Sequence, residues 1–333
     1  MFVTLENIEY EMRLETPTLD HYRLDWTPSP EVRLGGMWVP GIVTDQTGQS
    51  YLGLRGLSDF IPGMTHTVSP FCGFRALRKN LHEDPAHLYS EYATHDWFEP
   101  FQYDGGKADL RLTYDSGRIV RDAGGLHWSD ADGRWELHGA TVSDIFVLRV
   151  PVQDGIEHEV YYRHELIKAY GEVNGISVDG YLHQDYCYGP PGFTYTQLPI
   201  ARQLEGLWFS WIHEYENGDI GGGCFWQGRG HLDFRPGYLL EGGTTTAHGD
   251  VETTLTFTEE RRPLTMQVTM AGQLFDFSFE SAAGPLHSVG RLVKSSSGQE
   301  PVRSWCWIEY AEDMLTPEIL DLMTEKFQLV WAR

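Results

Sequence analysis

The side chains best suited to acid–base chemistry lie in one short stretch, residues 158–189. This stretch carries His164, His183 and Asp185 on either side of an Asn174-Gly175 pair. An Asn-Gly pair between runs of aromatic and β-branched residues predicts a two-residue hairpin turn of type I′, because both central residues of that turn need a positive φ. An imidazole and a carboxylate held together can pass a proton to and from a substrate. The sequence therefore predicts an acid–base centre on a β-hairpin.

The turn determines which residues of this hairpin oppose each other. With Asn174-Gly175 as the loop, Val173 lies opposite Ile176. Each step away from the turn lowers one residue number and raises the other by one, so His164 lies opposite Asp185. We expect Asp185 to act as general acid or base and His164 to orient it. The carboxylate would raise the pKa of the imidazole, or burial would raise the pKa of the carboxyl group. A structural ion pair between the strands is the other interpretation. One face of the hairpin is expected to hold Tyr162, His164, Leu166, His183, Asp185 and Cys187.

A second hairpin is predicted around Asn217-Gly218. Taken as another two-residue loop, this turn places His213 opposite Gly222, in a run of three glycines. Because glycines often mark close approach to the backbone, a gap beside His213 would suit a flat apolar ligand, and we expect His213 to position water or a substrate hydroxyl. An aromatic core is the other interpretation. The expected pocket face holds Phe209, Trp211, His213, Tyr215, Cys224 and Trp226, with Trp208 on the opposite face.

The charge of the chain excludes several classes of partner. Its 333 residues include 25 Lys and Arg against 48 Asp and Glu, which gives a formal charge of -23. Nucleic acids and anionic membrane surfaces both attract clustered cations, so neither is an expected partner. No apolar stretch is long enough to span a membrane, and the N-terminus lacks the pattern of a secretory signal. Four cysteines far apart in the sequence then predict reduced thiols in a cytoplasmic protein. The oligomeric state stays open.

The sequence contains no strong cofactor or metal motif. No glycine-rich dinucleotide motif, P-loop or GxSxG elbow is present. His82, Glu83, Asp84 and His87 lack the spacing of an HExxH zinc site. We therefore expect no cofactor and no metal.

Most of the chain consists of short β-strand patterns separated by turn signals. A spacing of about 8–12 residues between such signals is typical of all-β sandwiches and barrels. Two sequential β domains are predicted, residues 1–176 and 177–333, with a boundary that could lie as late as 229. A C-terminal helix is predicted over 316–328, because Thr316 can cap it and Pro317 suits its first position.

Several of these motifs together resemble a known enzyme family. Residues 179–189, the Trp208-Phe209 strand, the Asn217-Gly218 turn and residues 307–310 resemble the carotenoid 1,2-hydratase (hydroxyneurosporene synthase) family. That family shows an Asp followed closely by Trp-Gly or Trp-Ser, then a Trp-Phe strand and an acidic-or-Asn-Gly turn. The resemblance is strongest over residues 178–228.

The resemblance implies a fold and a reaction. The fold is all-β, with two consecutive lipocalin-like antiparallel β-barrels. The reaction needs no cofactor: a carboxylic acid protonates an alkene, and water captures the carbocation. The resemblance implies Asp185 as that acid, and it matches Trp208 and Phe209 to the Trp-Phe strand of the family. The roles of His164 and His213 come from the hairpin registers alone.

Together these observations predict a cofactor-independent lyase, hydratase or isomerase. Its substrate would be a small hydrophobic molecule, isoprenoid or aromatic, in an aromatic-lined pocket. A pericyclase or cyclase in the same pocket and a non-catalytic carrier of hydrophobic ligands are the alternatives. The residues expected to contact the substrate are Trp211, Phe209, Trp226, Trp208, His183, Tyr188 and Tyr162.

Overall fold

The chain forms two compact units, each built on one antiparallel sheet. The computed structural model describes residues 7–58, 72–78, 101–115, 117–130, 133–191, 203–230, 232–259, 262–282 and 287–310. The described residues from 10 to 191 form the first unit. Residues 7–9 and the described residues from 203 to 310 form the second unit.

The sheet of the first unit has twelve strands over the described residues. These strands are β1 (Glu11–Glu15), β2 (Arg33–Asp45), β3 (Ser50–Ser58), β4 (Cys72–Arg78), β5 (Phe101–Gly105), β6 (Asp109–Tyr114), β7 (Gly117–Asp122), β8 (Gly125–Asp130), β9 (Trp135–Thr141), β10 (Ile145–Val150), β11 (Val160–Val173) and β12 (Ile176–Gly189). Their order is β4-β3-β2-β12-β11-β9-β8-β7-β6-β5, and β10 pairs with both β1 and β11. A single 3₁₀ turn, Leu19–Tyr22, follows β1.

The sheet of the second unit has nine strands among the described residues. These strands are β13 (Leu207–Glu214), β14 (Ile220–Gln227), β15 (Gly237–Glu241), β16 (Thr244–His248), β17 (Glu252–Phe257), β18 (Pro263–Met270), β19 (Gln273–Ala282), β20 (His287–Ser295) and β21 (Arg303–Tyr310). Their order is β16-β15-β14-β13-β21-β20-β19-β18-β17.

The predicted all-β fold class is confirmed, since both units are built on antiparallel β-sheets. The predicted helix over 316–328 and the histidines at 82 and 87 lie outside the described residues. The division at residue 176 stays a prediction. The hairpin containing that residue lies within the first unit.

The central hairpin, β11 with β12, has two different buried faces. One face contributes Tyr161, Ile167, Leu182, Tyr186 and Tyr188 to the hydrophobic core of the first unit. We call this the core face. Side chains alternate along a strand, so the residues between these positions point the other way, and they are buried as well over the first half of β11 and the second half of β12. Both faces therefore hold side chains shielded from water.

Aromatic side chains fill the core of the second unit. Phe209 and Trp211 on β13 pack with Phe225, Phe275 and Phe277, and Phe209 and Phe277 have ring centroids 4.7 Å apart. Burying such rings is a large favourable contribution to folding. Among the described residues, no helix combines the length and apolar character needed to cross a membrane. Cys187, Cys224 and Cys306 are buried thiols.

Candidate functional site

The turn of the central hairpin has the predicted conformation. Asn174 and Gly175 have φ values of 52° and 73°, as a type I′ turn requires, and Val173 opposes Ile176. The predicted register is confirmed over the whole hairpin, and His164 lies directly opposite Asp185. We call the side of the hairpin opposite the core face the acid–base face. It holds Tyr162, His164, Leu166, His183, Asp185 and Cys187.

The carboxylate of Asp185 is held by two neighbours on the acid–base face. The Tyr162 hydroxyl donates a hydrogen bond of 2.5 Å to Oδ1. His183 Nε2 lies 3.1 Å from Oδ2, within hydrogen-bond distance. His164 Nε2 lies 3.8 Å from Oδ1, which is beyond that distance. His183 is therefore closer to the carboxylate than His164, the residue expected to orient it.

Burial controls the protonation of His164. The ring is fully buried, and burial lowers its pKa to about 3. Asp185 opposes this shift, while the second imidazole, His183, adds to it. The predicted rise in the pKa of His164 is therefore wrong, because desolvation outweighs the attraction of the carboxylate. His164 is therefore neutral near pH 7, where one ring nitrogen can accept a hydrogen bond and the other carries a hydrogen that it can donate.

An indole that the sequence reasoning missed lies next to this cluster. Trp38 on β2 is directly opposite Asp185, and Phe146 on β10 is directly opposite His164, so one row of side chains runs across four strands. A Cβ added at Gly36 or Gly56 would lie 2.2 or 2.8 Å from atoms of the Trp38 ring. The half-buried indole therefore lies flat over two glycines. Glycines close to a tryptophan in the Gly35-Gly36-Met37-Trp38 stretch were the available signal.

The same cluster contains the donors that could hold a metal ion. One ligand atom from each of His164, His183 and Asp185 can be chosen so that all three lie within 4.8 Å of one another. Bonds of about 2.0–2.2 Å to a tetrahedral zinc ion would bring such atoms to roughly 3.3 Å. Two imidazoles and a carboxylate therefore fit a divalent metal after a modest contraction. The expectation of no metal stays a prediction.

The predicted register of the second hairpin is wrong by one residue. His213 opposes Gly221 rather than Gly222, and Trp211 opposes Gly223 rather than Cys224. The loop has three residues instead of two, because the Gly218 N–H donates to the Tyr215 carbonyl and Gly218 has a φ of 84°. A three-residue loop that ends in a left-handed glycine is the next most common hairpin connection.

The shifted register changes the membership of both faces of the second hairpin. Trp226 now opposes Trp208, so it lies on the opposite face from Trp211. A Cβ added at Gly221 would lie 2.4 Å from His213 Nε2, and one at Gly223 would lie 2.4 Å from the Trp211 ring. Side chains do approach the glycine backbone closely, as predicted, but these are the His213 and Trp211 rings of the hairpin and not a bound ligand. The space expected beside His213 is therefore filled.

The remaining expected site residues fall in two other places. Tyr188 lies on the core face, where its hydroxyl accepts a hydrogen bond from Arg163 Nη2. The other five lie on the second hairpin, in the second unit, whereas Asp185 lies in the first. Burial lowers the pKa of His213 to about 4. The structure thus gathers Tyr162, His164, His183 and Asp185 on one face, and the contacts of the others with a substrate stay predictions. These five are Trp208, Phe209, Trp211, His213 and Trp226.

Comparisons with known proteins give similarity of fold only. No protein-family model matches the chain, and no curated protein sequence matches it. A solved structure from Nitrosomonas europaea, provisionally assigned as ATTH, aligns with a TM-score of 0.44 at 10% identity, over 87% of this chain and 97% of that one. Kievitone hydratase from Nectria haematococca aligns with a TM-score of 0.40 at 11% identity, over 84% of this chain and 89% of that one. At these values neither structure assigns a role to a residue of this chain.

Proposed function

We propose that this chain is a cofactor-independent hydro-lyase or isomerase in which Asp185 moves a proton to and from a small hydrophobic substrate. The observation that carries the proposal is the environment of the buried Asp185 carboxylate. One of its oxygens accepts a hydrogen bond from the Tyr162 hydroxyl, and the other lies 3.1 Å from His183 Nε2. Carboxylates are rarely buried without a reason. This one is held in a fixed orientation, as a group that transfers protons must be.

The neighbours of Asp185 supply what such a reaction needs. In the low dielectric of a buried face, the two contacts fix the carboxylate and spread its charge. The imidazole of His164 is neutral, and its Nε2 lies 3.8 Å from Asp185 Oδ1. It can therefore accept a hydrogen bond from water or from a substrate hydroxyl beside the carboxylate. In the direction of hydration, the carboxylic acid protonates a C=C bond, water adds to the resulting cation, and the proton lost by that water returns to the carboxylate. Atoms and charge balance without a cofactor.

We assign to Trp38 the stabilisation of the cationic intermediate, for which the indoles of the second hairpin were expected. Its ring opposes Asp185 on the adjacent strand, so the two side chains are neighbours on one face. An indole face attracts a nearby cation by about 1–2 kcal/mol. Phe146 and Leu166 are buried apolar neighbours on the same face and favour a hydrophobic substrate. Isoprenoid and aromatic alkenes both satisfy this chemistry.

Exchange with solvent deuterium tests the proposal. The protein is incubated in D₂O with an isoprenoid alkene such as geraniol and an aromatic alkene such as 4-vinylphenol, and incorporation of deuterium or water is followed by NMR. We expect turnover of one of these probes and a loss of about 10²–10⁴-fold in Asp185→Asn, the range for removal of a general acid–base group. Asp179→Asn, at a half-buried aspartate nearer the turn of the same strand, is the matched control and should retain activity.

Two outcomes would contradict this proposal. If the probes bind with equal affinity to the native chain and to Asp185→Asn and neither is turned over, the chain is a carrier of hydrophobic ligands. If turnover requires added zinc or disappears with a chelator, the reaction is metal-dependent, and His164, His183 and Asp185 are ligands. Cyclised product from a linear polyene, formed equally by both proteins, would favour the cyclase alternative.

A further inference from the structure

The core face of the central hairpin carries a second polar cluster, separate from the acid–base face. Arg163 and Glu165 are two positions apart on β11, and Tyr186 and Gln184 lie directly opposite them on β12. These four side chains lie at the corners of a square on one face of the hairpin. Two sides of the square cross between the strands, and the other two join residues two positions apart on one strand. All four are buried, and Arg163 is 1% exposed. The square faces the interior of the first unit, among the residues of its core.

A second buried guanidinium joins the square through Glu165. Arg121 on β7 donates a hydrogen bond of 2.7 Å to Glu165 Oε1, and the Tyr22 hydroxyl donates one of 2.7 Å to Oε2. Thr141 adds a contact of 3.2 Å to the same oxygen. The carboxylate is thus satisfied. Arg121 is not, because its Nε and Nη1 are buried and have no hydrogen-bond partner among the described residues.

Arg163 is held by aromatic rings and not by an anion. Its guanidinium carbon lies 4.2 Å from the centroid of a Trp26 ring and 4.5 Å from that of Tyr186. Nη2 donates to the Tyr188 hydroxyl. Nε and Nη1 are buried, and within the described part of the chain nothing accepts their hydrogen bonds. Cation–π contacts stabilise the charge but leave these donors unused.

The charges of the cluster do not balance. Two guanidiniums face one carboxylate, that of Glu165. The carboxylate of Glu15 is partly exposed and is paired with Arg13 at 2.5 Å and with His21 at 3.0 Å. One net positive charge is left, with four donor atoms that make no hydrogen bond. An uncompensated buried charge is strongly destabilising, so such a site attracts an anion.

A cavity opens beside this cluster. Its volume is about 30 Å³, and its polar lining residues include Arg121, Gln184 and Tyr186. Leu110, Leu112 and Ile119 form apolar walls. One water molecule needs about 10–15 Å³ on the same measure, so the space admits two waters or one small polar group. Gln184 Oε1 has no hydrogen-bond partner, and rotation of the amide would present its NH₂ group to an anion.

We infer that this cavity binds a small carboxylate monoanion of acetate size, held by Arg121. Arg163 does not line the cavity, but its guanidinium carbon lies 4.5 Å from the ring of Tyr186, which does, so its charge adds to the attraction. Guanidinium donors match the two oxygens of a carboxylate, and the apolar walls suit a short carbon chain. A single negative charge neutralises the cluster, whereas a dianion would leave it negative. The site is independent of the proposed reaction at Asp185, because the two clusters lie on opposite faces of the hairpin.

Acetate serves as the probe on the full native chain. Thermal unfolding is measured in increasing sodium acetate, with sodium chloride making up a constant ionic strength and sodium sulfate as a dianion comparison. We expect a saturable rise in Tm with acetate that is larger than with sulfate. A Tm that does not depend on which of the three anions is present would overturn the inference.

A second readout works without any variant. In protein labelled with ¹⁵N-arginine, acetate should shift the Nε–H resonance of Arg121 most and that of Arg163 less, with one common dissociation constant. Arg121→Gln, which removes the guanidinium that lines the cavity, should weaken acetate binding at least tenfold, and Arg163→Gln should weaken it less. Arg111→Gln is the matched control, since Arg111 also lines the cavity but is largely exposed and already bonded to Asp109. Equal weakening in all three variants would mean non-specific attraction to surface charge and would also refute the site.

Discussion

The two hairpins of this chain have the same Asn-Gly dipeptide in their turns but different turn conformations. At Asn174-Gly175 both residues adopt positive φ, the loop has two residues, and every predicted pair is present. At Asn217-Gly218 only the glycine adopts a positive φ. Glu216 becomes a third loop residue, and every cross-strand pair is shifted by one residue from the predicted register. One extra loop residue thus decides which side chains meet across the strands. The comparison teaches that register depends on turn conformation, and that a dipeptide alone does not determine it.

The packing of each hairpin shows why the two turns differ. In the observed register, His213 and Trp211 lie over Gly221 and Gly223, where a side chain would collide with the rings. A two-residue loop would instead place Cys224 opposite Trp211. Close ring-to-backbone packing therefore favours the longer loop. In the first hairpin, buried side chains on both faces fit the shorter one.

The largest effect expected in the second hairpin is a response to pH at His213. Burial alone lowers its pKa to about 4, whereas His164 in the first hairpin also has charged neighbours. A histidine whose folded pKa lies below its unfolded value of about 6.5 stabilises the fold fully above pH 6.5. That contribution, about 3 kcal/mol, is lost as pH falls from 6.5 to 4.

Urea unfolding of the native chain and of His213→Gln at pH 7.5 and pH 4.5 measures this contribution. The difference between the two proteins removes the effect of the many carboxylates. We expect the native chain to lose more stability than the variant on acidification. His248→Gln, on β16, controls for the loss of a histidine elsewhere in the second unit. Parallel losses in the native chain and His213→Gln would refute the buried neutral ring.

The observed register of the second hairpin can be tested with a double-mutant cycle. Gly221→Ala should cost about 1–3 kcal/mol, because its Cβ would lie 2.4 Å from His213 Nε2. In a His213→Ala background the same change should cost little, since the ring is gone. Chemical denaturation of the four proteins gives the coupling energy. Strict additivity would mean that the two residues do not touch and that the register is different.

The smallest expected effects are at the two turn asparagines. Asn174→Ala should cost about 1–2 kcal/mol, because a residue with a Cβ is held at a φ of 52°. Asn217→Ala should cost about 0.5 kcal/mol, through the bond from the Asp219 N–H to Asn217 Oδ1. Asn174→Gly should recover most of the first loss, since glycine adopts positive φ easily, and Asn217→Gly should not improve on alanine. Equal losses at both sites would mean that the turns are alike.

The sequence predicted the parts of the molecule that depend on local patterns. Alternating strands and frequent turn residues led to the all-β class, and the type I′ turn led to the pairing of His164 with Asp185. The glycines before Trp38 were a local signal, but its pairing with Asp185 was out of reach, because β2 pairs with β12 from more than a hundred residues away. Its proximity to Asp185 depends on sheet order, which hairpin arithmetic does not supply.

The energetics of the site were also beyond sequence patterns. The pKa of His164 depends on how completely the ring is shielded from water, and the register alone gives only its neighbours. The buried guanidiniums of Arg121 and Arg163 were missed for a related reason. Arginine in a strand usually suggests an exposed position, and here the sheet covers both.

The alternation along β11 and β12 has an evolutionary consequence. Consecutive residues there serve two chemically separate centres, so point substitutions can modify one centre while leaving the other intact. Gain or loss of a single codon between the turn and Asp185 would instead turn that acid inward among the arginines and turn Tyr186 outward. Homologues of this protein should therefore keep the lengths of β11 and β12 even where individual residues of these strands differ.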